Sequence, residues 1–191
     1  MYTGFRKIIA IGASTGGVGA LDEVLSRFPA NIPPVLIVQH MPAGITKLFA
    51  SRLNVAYKFD VKEAESGDAL QNNRVLIAPA GKHMKLISKG GKLAVECFVG
   101  PKVQYVIPSA DVLFESLAEL AGKQSIGVIL TGMGADGAAG LKKMRDAGAA
   151  TIGQDKATST IYGMPKVAFD IGAVQHQLPL NAIADKILRL L

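Results

Sequence analysis

Lys7-Ile8-Ile9-Ala10-Ile11-Gly12-Ala13-Ser14-Thr15-Gly16-Gly17-Val18 begins as an unbroken aliphatic run, breaks on glycines around two hydroxyls, and then takes up helical spacing. A strand covered by helices on both sides reads as such a continuous run, because neither face meets water. Beyond the glycines, Val18, Leu21, Val24, Leu25 and Phe28 share one helical face. Residues 7–11 and 18–28 therefore predict a strand, a glycine turn and a helix.

The rhythm recurs along the chain. A strand at 35–38 precedes a helix at 44–53, with Ile45, Leu48, Phe49 and Leu53 expected inward, and weaker strands follow near Val61 and at 75–78. Residues 85–88 and 92–96, joined at Gly90-Gly91, read as a hairpin. The segment 108–120 starts on Pro108 and spaces Val112, Leu113, Leu117 and Leu120 for burial as a helix. A strand at 126–130, a helix at 138–147, a strand at 151–154, a short helix at 165–169 and an amphipathic helix at 181–190 complete the pattern. The expected fold is α/β, a single doubly wound, mostly parallel sheet with helices on both faces and an inserted β-hairpin.

Composition agrees with one domain spanning 1–191, since a domain takes roughly 150 residues. With 49% hydrophobic and 19% charged residues, disorder and coiled coil are poor readings. Lys and Arg total 21 against 15 Asp and Glu, a net charge of +6, but they are scattered and no Trp accompanies them. That favours acidic partners and argues against nucleic acid. Cys97 is alone, so no internal disulfide can form and a reducing cytoplasm is the expected location. No apolar run approaches the roughly 18 residues that insert in a membrane, and the run after Arg6-Lys7 is too short for a signal peptide.

Ligands of such sheets bind at the carboxyl ends of the strands. At the first, Gly12-Ala13-Ser14-Thr15-Gly16 fits G-x-S-x-G, a strand-to-helix elbow whose glycines make room around a strained, exposed serine. It could equally be a glycine turn that packs a helix or cradles phosphate. A P-loop needs Lys where Val18 stands, and a dinucleotide fingerprint needs a further glycine and an acid after the second strand, which ends Gln39-His40.

His40 would lie beside Ser14 if the two strands pair, as the base that removes the hydroxyl proton, or else as a loop histidine bonded to a carbonyl. Asp136, in Thr131-Gly132-Met133-Gly134-Ala135-Asp136-Gly137, could cap the helix it precedes or accept the far N–H of His40. Amides of that loop, with the amide of Thr15, could bind an oxyanion. No member decides alone, but Ser, His and Asp at one sheet edge form a much rarer pattern than any of them. His83 and His176 read as surface or hairpin residues, dispersed histidines do not make a metal site, and Glu63, Glu65 and Asp68 around Gly67 read as a solvated face.

Taken together, Gly12-Ala13-Ser14-Thr15-Gly16-Gly17, Gln39-His40-Met41-Pro42 and residues 129–140 resemble the CheB family, the protein-glutamate methylesterases of bacterial chemotaxis. Lys82-His83-Met84, Asp111-Val112-Leu113-Phe114 and Gly163-Met164-Pro165 extend the likeness from about Lys7 to the C-terminus. The resemblance implies a seven-stranded, mainly parallel sheet with a hairpin. It also implies hydrolysis of γ-glutamyl methyl esters on chemoreceptors to glutamate and methanol, with deamidation of certain receptor glutamines as a second activity and no cofactor or metal.

In that reading Ser14 is the nucleophile, His40 the base and Asp136 the acid, while Thr15 and Met133 match positions linked to the histidine's surroundings and the oxyanion site. The partners implied are methylated cytoplasmic receptor helices and, since the usual receiver domain is not in this sequence, a separate receiver or signalling protein. The order Ser, His, Asp differs from the Ser, Asp, His of α/β-hydrolases. Family members tend to carry Arg and His just before the Pro-Ser, where this chain has Tyr105, Val106 and Ile107. Two other classes stay open: a non-catalytic scaffold of the same fold, and a nucleotide-binding enzyme using the glycine loop.

Overall fold

Strand β1 (Ile8–Ala13) is buried at every position, and its side chains divide between two apolar layers, Ile8 and Ala10 facing one, Ile9, Ile11 and Ala13 the other. The computed structural model that shows this describes residues 5–191, so residues 1–4 of the expected domain lie outside it. After β1 come α1 (Gly17–Ser26), β2 (Val35–Gln39), α2 (Ile45–Ala56), β3 (Asp60–Glu63) and β4 (Arg74–Ile77). A hairpin of β5 (His83–Lys89) and β6 (Lys92–Phe98) leads to α3 (Ala110–Leu120). The chain then forms β7 (Ser125–Ile129), α4 (Ala138–Asp146), β8 (Ala150–Gln154), α5 (Met164–Asp170), β9 (His176–Leu178) and α6 (Leu180–Arg189).

Seven strands pair in the order β3-β4-β2-β1-β7-β8-β9, every pair parallel, and the hairpin is a separate two-stranded sheet. The expected doubly wound sheet is present. One face carries α1, α2 and α6 through Leu21, Phe49, Leu53, Ile183 and Ile187; the other carries α3, α4, α5 and the hairpin through Phe114, Leu117, Leu141, Met144, Met164 and Leu86. Each such fully buried side chain contributes about 1.5–3 kcal/mol relative to exposure. Among the described residues no helix is long and apolar enough to cross a membrane.

Some local expectations are corrected. Strand β9 adds to the expected strands; with Gln177 exposed between the half-buried His176 and Leu178, this edge strand leaves no apolar signature. In α2, Ile45 and Leu48 are 43% and 67% exposed, while Thr46 is buried. The helix is rolled so that the Thr46 hydroxyl donates to Glu63 and accepts the Ala80 amide, and two internal hydrogen bonds outweigh one apolar contact. Val18 also faces partly outward, and Val112 and Leu120 are only half-buried.

From β1 the chain winds outward both ways, to β2, β4 and β3 on one side and to β7, β8 and β9 on the other. That reversal opens a crevice at the carboxyl ends of the central strands.

Candidate active site

Parallel pairing of β1 with β2 sets Ala13 opposite Gln39, and the His40 amide donates to the Ala13 carbonyl at 3.1 Å, so Ser14 and His40 leave the sheet side by side. The Gln39 side chain, 2% exposed, fastens both, its Nε2 donating to the Ser14 carbonyl at 2.9 Å and the His40 carbonyl at 3.0 Å. From the other side the Ser14 amide donates to the Thr131 carbonyl at 3.0 Å. The half-buried Ser14 hydroxyl itself makes no hydrogen bond among the described residues, and it is free to turn.

The glycines serve a purpose other than the expected one. Ser14 is not in a left-handed conformation; Gly16 is, at φ 80°. A Cβ on Gly16 would stand 2.4 Å from Thr160 Oγ1, and one on Gly132 would stand 2.7 Å from Ser14 Cβ. Glycine therefore lets two neighbouring loops close on the serine rather than relieving strain in it.

His40 Nε2 lies 2.8 Å from Asp136 Oδ2, with the imidazole 14% and the carboxylate 2% exposed. That leaves Nδ1 as the ring nitrogen not engaged by the carboxylate. Asp136 also accepts the Ser109 hydroxyl at 2.5 Å and the amides of Ala110 at 2.7 Å and Asp111 at 3.2 Å. Burial by itself would raise its pKa, but the bonds from His40, Ser109 and Ala110 outweigh burial and hold the carboxyl below the usual carboxylate range. It is an anion at neutral pH.

The two roles considered for Asp136 coexist, and the capped helix is not the expected one. Asp136 caps α3, from which it is 26 residues removed in sequence, while Asp111 of α3 accepts the Gly140 amide in the first turn of α4 at 2.7 Å. The two helices exchange acidic caps across their packed starts. Asp111 sits among apolar atoms, and burial, with the Asp136 charge adding, pushes its pKa up to about 6 against the pull of the Gly140 amide.

A raised acid binds more protons folded than unfolded, so Asp111 should make stability fall as pH rises from about 4 to about 6. In Asp111→Asn, whose amide oxygen can still accept from Gly140, that slope should vanish. Urea midpoints at pH 4 and pH 7 measure it; identical pH profiles for both proteins would remove Asp111 from the account.

Around Ser14, the Thr131 hydroxyl donates to the Thr15 carbonyl at 3.0 Å, and Gln154, fully buried, accepts the Thr131 amide at 2.8 Å. Among the described residues the amides of Thr15 and Met133 have no acceptor, and Met133 is 75% exposed beside the glycine that touches Ser14. These amides can meet a charged oxygen. Gln39, Ser109 and Gln154 were missed in the sequence. A polar residue ending each buried strand, and a Ser in N-cap position, were the available signals.

His83 begins the hairpin as expected but is not a surface residue: it is 1% exposed, donating from Nε2 to the Pro101 carbonyl at 2.9 Å and accepting the Ser109 amide at Nδ1 at 3.2 Å. His176 lies in edge strand β9, its pKa lowered by burial and by Lys186 and Arg145. Lys62 bridges Glu65 and Asp68, and Glu63 takes the Thr46 hydroxyl, so the acidic turn is ion-paired rather than merely solvated. Among the described residues no three His, Cys, Asp or Glu converge to hold a metal ion. Burial pushes the Cys97 thiol up to about 11, which keeps it protonated.

A family model described as CheB methylesterase matches residues 9–187. A protein of Rhizobium etli named protein-glutamate methylesterase/protein-glutamine glutaminase is 53% identical over 185 residues, 97% of this chain and 53% of that protein. The same name belongs to a protein of Syntrophotalea carbinolica, 50% identical over 97% of this chain and 52% of its own length. The chain thus spans about half the length of the curated relatives it matches. The crystal structure of the Thermotoga maritima CheB methylesterase catalytic domain superposes with a TM-score of 0.94 at 39% identity, covering 97% of this chain and 98% of that one.

Proposed function

The chain belongs to the CheB methylesterase family, and from that premise we propose that it hydrolyses glutamate γ-methyl esters on methyl-accepting receptor helices, with deamidation of receptor glutamines as a second activity. The observation that carries this reading is an unbonded serine hydroxyl beside a histidine held at 2.8 Å by a buried carboxylate. A serine hydroxyl is too weak an acid to attack at neutral pH unless a base takes its proton.

In this mechanism Ser14 Oγ bonds to the γ-carbonyl carbon as His40 Nδ1 takes its proton. The amides of Thr15 and Met133 receive the oxyanion. Collapse breaks the bond to the methoxy oxygen, which leaves as methanol with the proton from His40. Water, deprotonated by the same nitrogen, then releases glutamate and restores Ser14; a glutamine amide would leave as ammonia by the same steps. Asp136 stays ionised throughout and stabilises the imidazolium.

Mass spectrometry of methylated receptor fragments incubated with the protein tests the reading. Loss of 14 Da per methylated glutamate is a CH2 difference expected from ester hydrolysis, on the order of one methylene by mass. A serine-directed phosphonate should label Ser14 at the same time. Unchanged fragments with no labelling would leave a non-catalytic scaffold.

A net charge of +6 should draw acidic receptor helices, and such long-range attraction is screened over roughly 8 Å at physiological ionic strength. Added salt should lower kcat/KM on receptor fragments severalfold while leaving a small neutral ester nearly untouched. Equal sensitivity of the two substrates would remove steering.

A further inference from the structure

Between β6 and α3 the chain makes an excursion that is fixed at both ends. His83 holds it, taking the Ser109 amide on Nδ1 and giving Nε2–H to the Pro101 carbonyl. Ser109 in turn donates to Asp136, so the segment stands on the carboxylate that orients His40. Within it Val103 and Val106 exchange both backbone hydrogen bonds, at 3.1 and 3.0 Å, around the two-residue turn Gln104-Tyr105.

Both turn residues are left-handed, with φ 49° and 66°, the geometry of a type I′ turn that normally takes Asn and Gly. Tyr105 has neither advantage, and it is 91% exposed, so among the described residues no packing compensates the strained backbone. The exposed ring does not seal the hairpin against the core, and the half-buried Val106 and Ile107 line the adjoining cavity. The turn borders a cavity of about 360 Å³ whose walls are His40, Met41 and Pro42 on one side and Lys102, Tyr105 and Val106 on the other.

We propose that this turn is a substrate-reading element, in which Tyr105 and the apolar wall behind it receive an aliphatic side chain one helical turn from the glutamate presented to Ser14. The inference rests on the proposed esterase reading and names what that site selects. On a helix, residues three and four apart have Cβ atoms about 5–6 Å from each other, so a helix bringing its ester to His40 brings its next-turn side chain to the adjoining cavity. An aliphatic group would bury against the Tyr105, Val106, Met41 and Pro42 side chains, whereas an uncharged polar one such as serine would lose water against that apolar wall, and a cationic one would also face Lys102. Because the turn is held by His83 and by its own paired bonds, little ordering is lost when substrate arrives.

The test uses two synthetic helical peptides carrying one glutamate γ-methyl ester, with leucine or serine four residues along, and a blocked single-residue ester as control. The variant is Tyr105→Gly, which suits a left-handed position and removes the whole side chain; Tyr105→Asn, also tolerant of that backbone, keeps Cβ and removes the ring, and is the second. Wild type should prefer the leucine peptide about tenfold, through KM. Both variants should reduce that ratio to near one, with kcat on the peptides and kcat/KM on the small ester retained. A ratio that survives the substitutions overturns the proposal, as does a parallel loss on all three substrates. If wild type hydrolyses none of them, the esterase reading fails by itself. The anisotropy-measured affinity of fluorescent leucine and serine peptides for wild type and Tyr105→Gly then decides this proposal: a leucine preference lost in the variant upholds it, and equal binding overturns it.

Discussion

Ser14→Ala and His40→Ala are each expected to lower ester hydrolysis by about 10⁴- to 10⁶-fold, and the double variant by no more than either single one. The reason is that a serine without a base and a base without a serine are equally unable to form the acyl intermediate. Activity remaining above the uncatalysed rate would come from substrate binding and from the amides of Thr15 and Met133. Ser14 is half-buried and its side chain makes no bond among the described residues, so Ser14→Ala should melt close to wild type. Single-turnover rates on a methylated receptor fragment, with thermal melts alongside, give both quantities. A double variant much slower than either single one would mean that Ser14 and His40 act independently, and the mechanism above would fall.

Asp136→Asn should be nearly as damaging to turnover, up to about ten-thousandfold, and unlike the serine variant it should also destabilise the fold. Each carboxylate oxygen accepts two donors, Oδ1 from Ser109 and Asp111, Oδ2 from His40 and Ala110. An asparagine has only one acceptor oxygen. Whichever way the amide is turned, its NH2 faces at least one buried N–H, and leaving such a group unpaired costs about 1–3 kcal/mol. The lost charge further removes the support for the His40 imidazolium.

The sequence offers capping or a bond to His40 as alternatives for Asp136, and the shared hydrogen bonds make both at once. Melting temperature and turnover measured on one preparation separate their sizes: the rate should fall far more than the unfolded fraction accounts for. A rate loss matching the unfolded fraction would reduce Asp136 to a helix cap. The depressed pKa adds a pH signature. Its stabilisation is present above the ordinary carboxylate range and is lost as pH falls through the folded value, a slope that Asp136→Asn should lack.

The aliphatic runs at Ile8–Ala13, Val35–Gln39 and Ser125–Ile129 were legible in the sequence because burial on both faces imposes a one-dimensional pattern, unbroken apolar residues ended by glycine or a polar group. Parallel strands all point one way, so the residues that end them must meet at one edge. That is why Ser14, His40 and Asp136 could be singled out together before their distances were known. Tertiary structure alone decided how they are held. Asp136 caps α3 instead of its own α4, Asp111 returns the favour at Gly140, Gln39 ties two carbonyls, and His83 fixes both ends of the Tyr105 segment. These are bonds between polar groups far apart in the chain, and such pairings follow no period. Hydrophobic burial repeats with the geometry of the strand or helix and so writes itself into the sequence, whereas a hydrogen bond between distant loops depends on where packing sets each donor and acceptor.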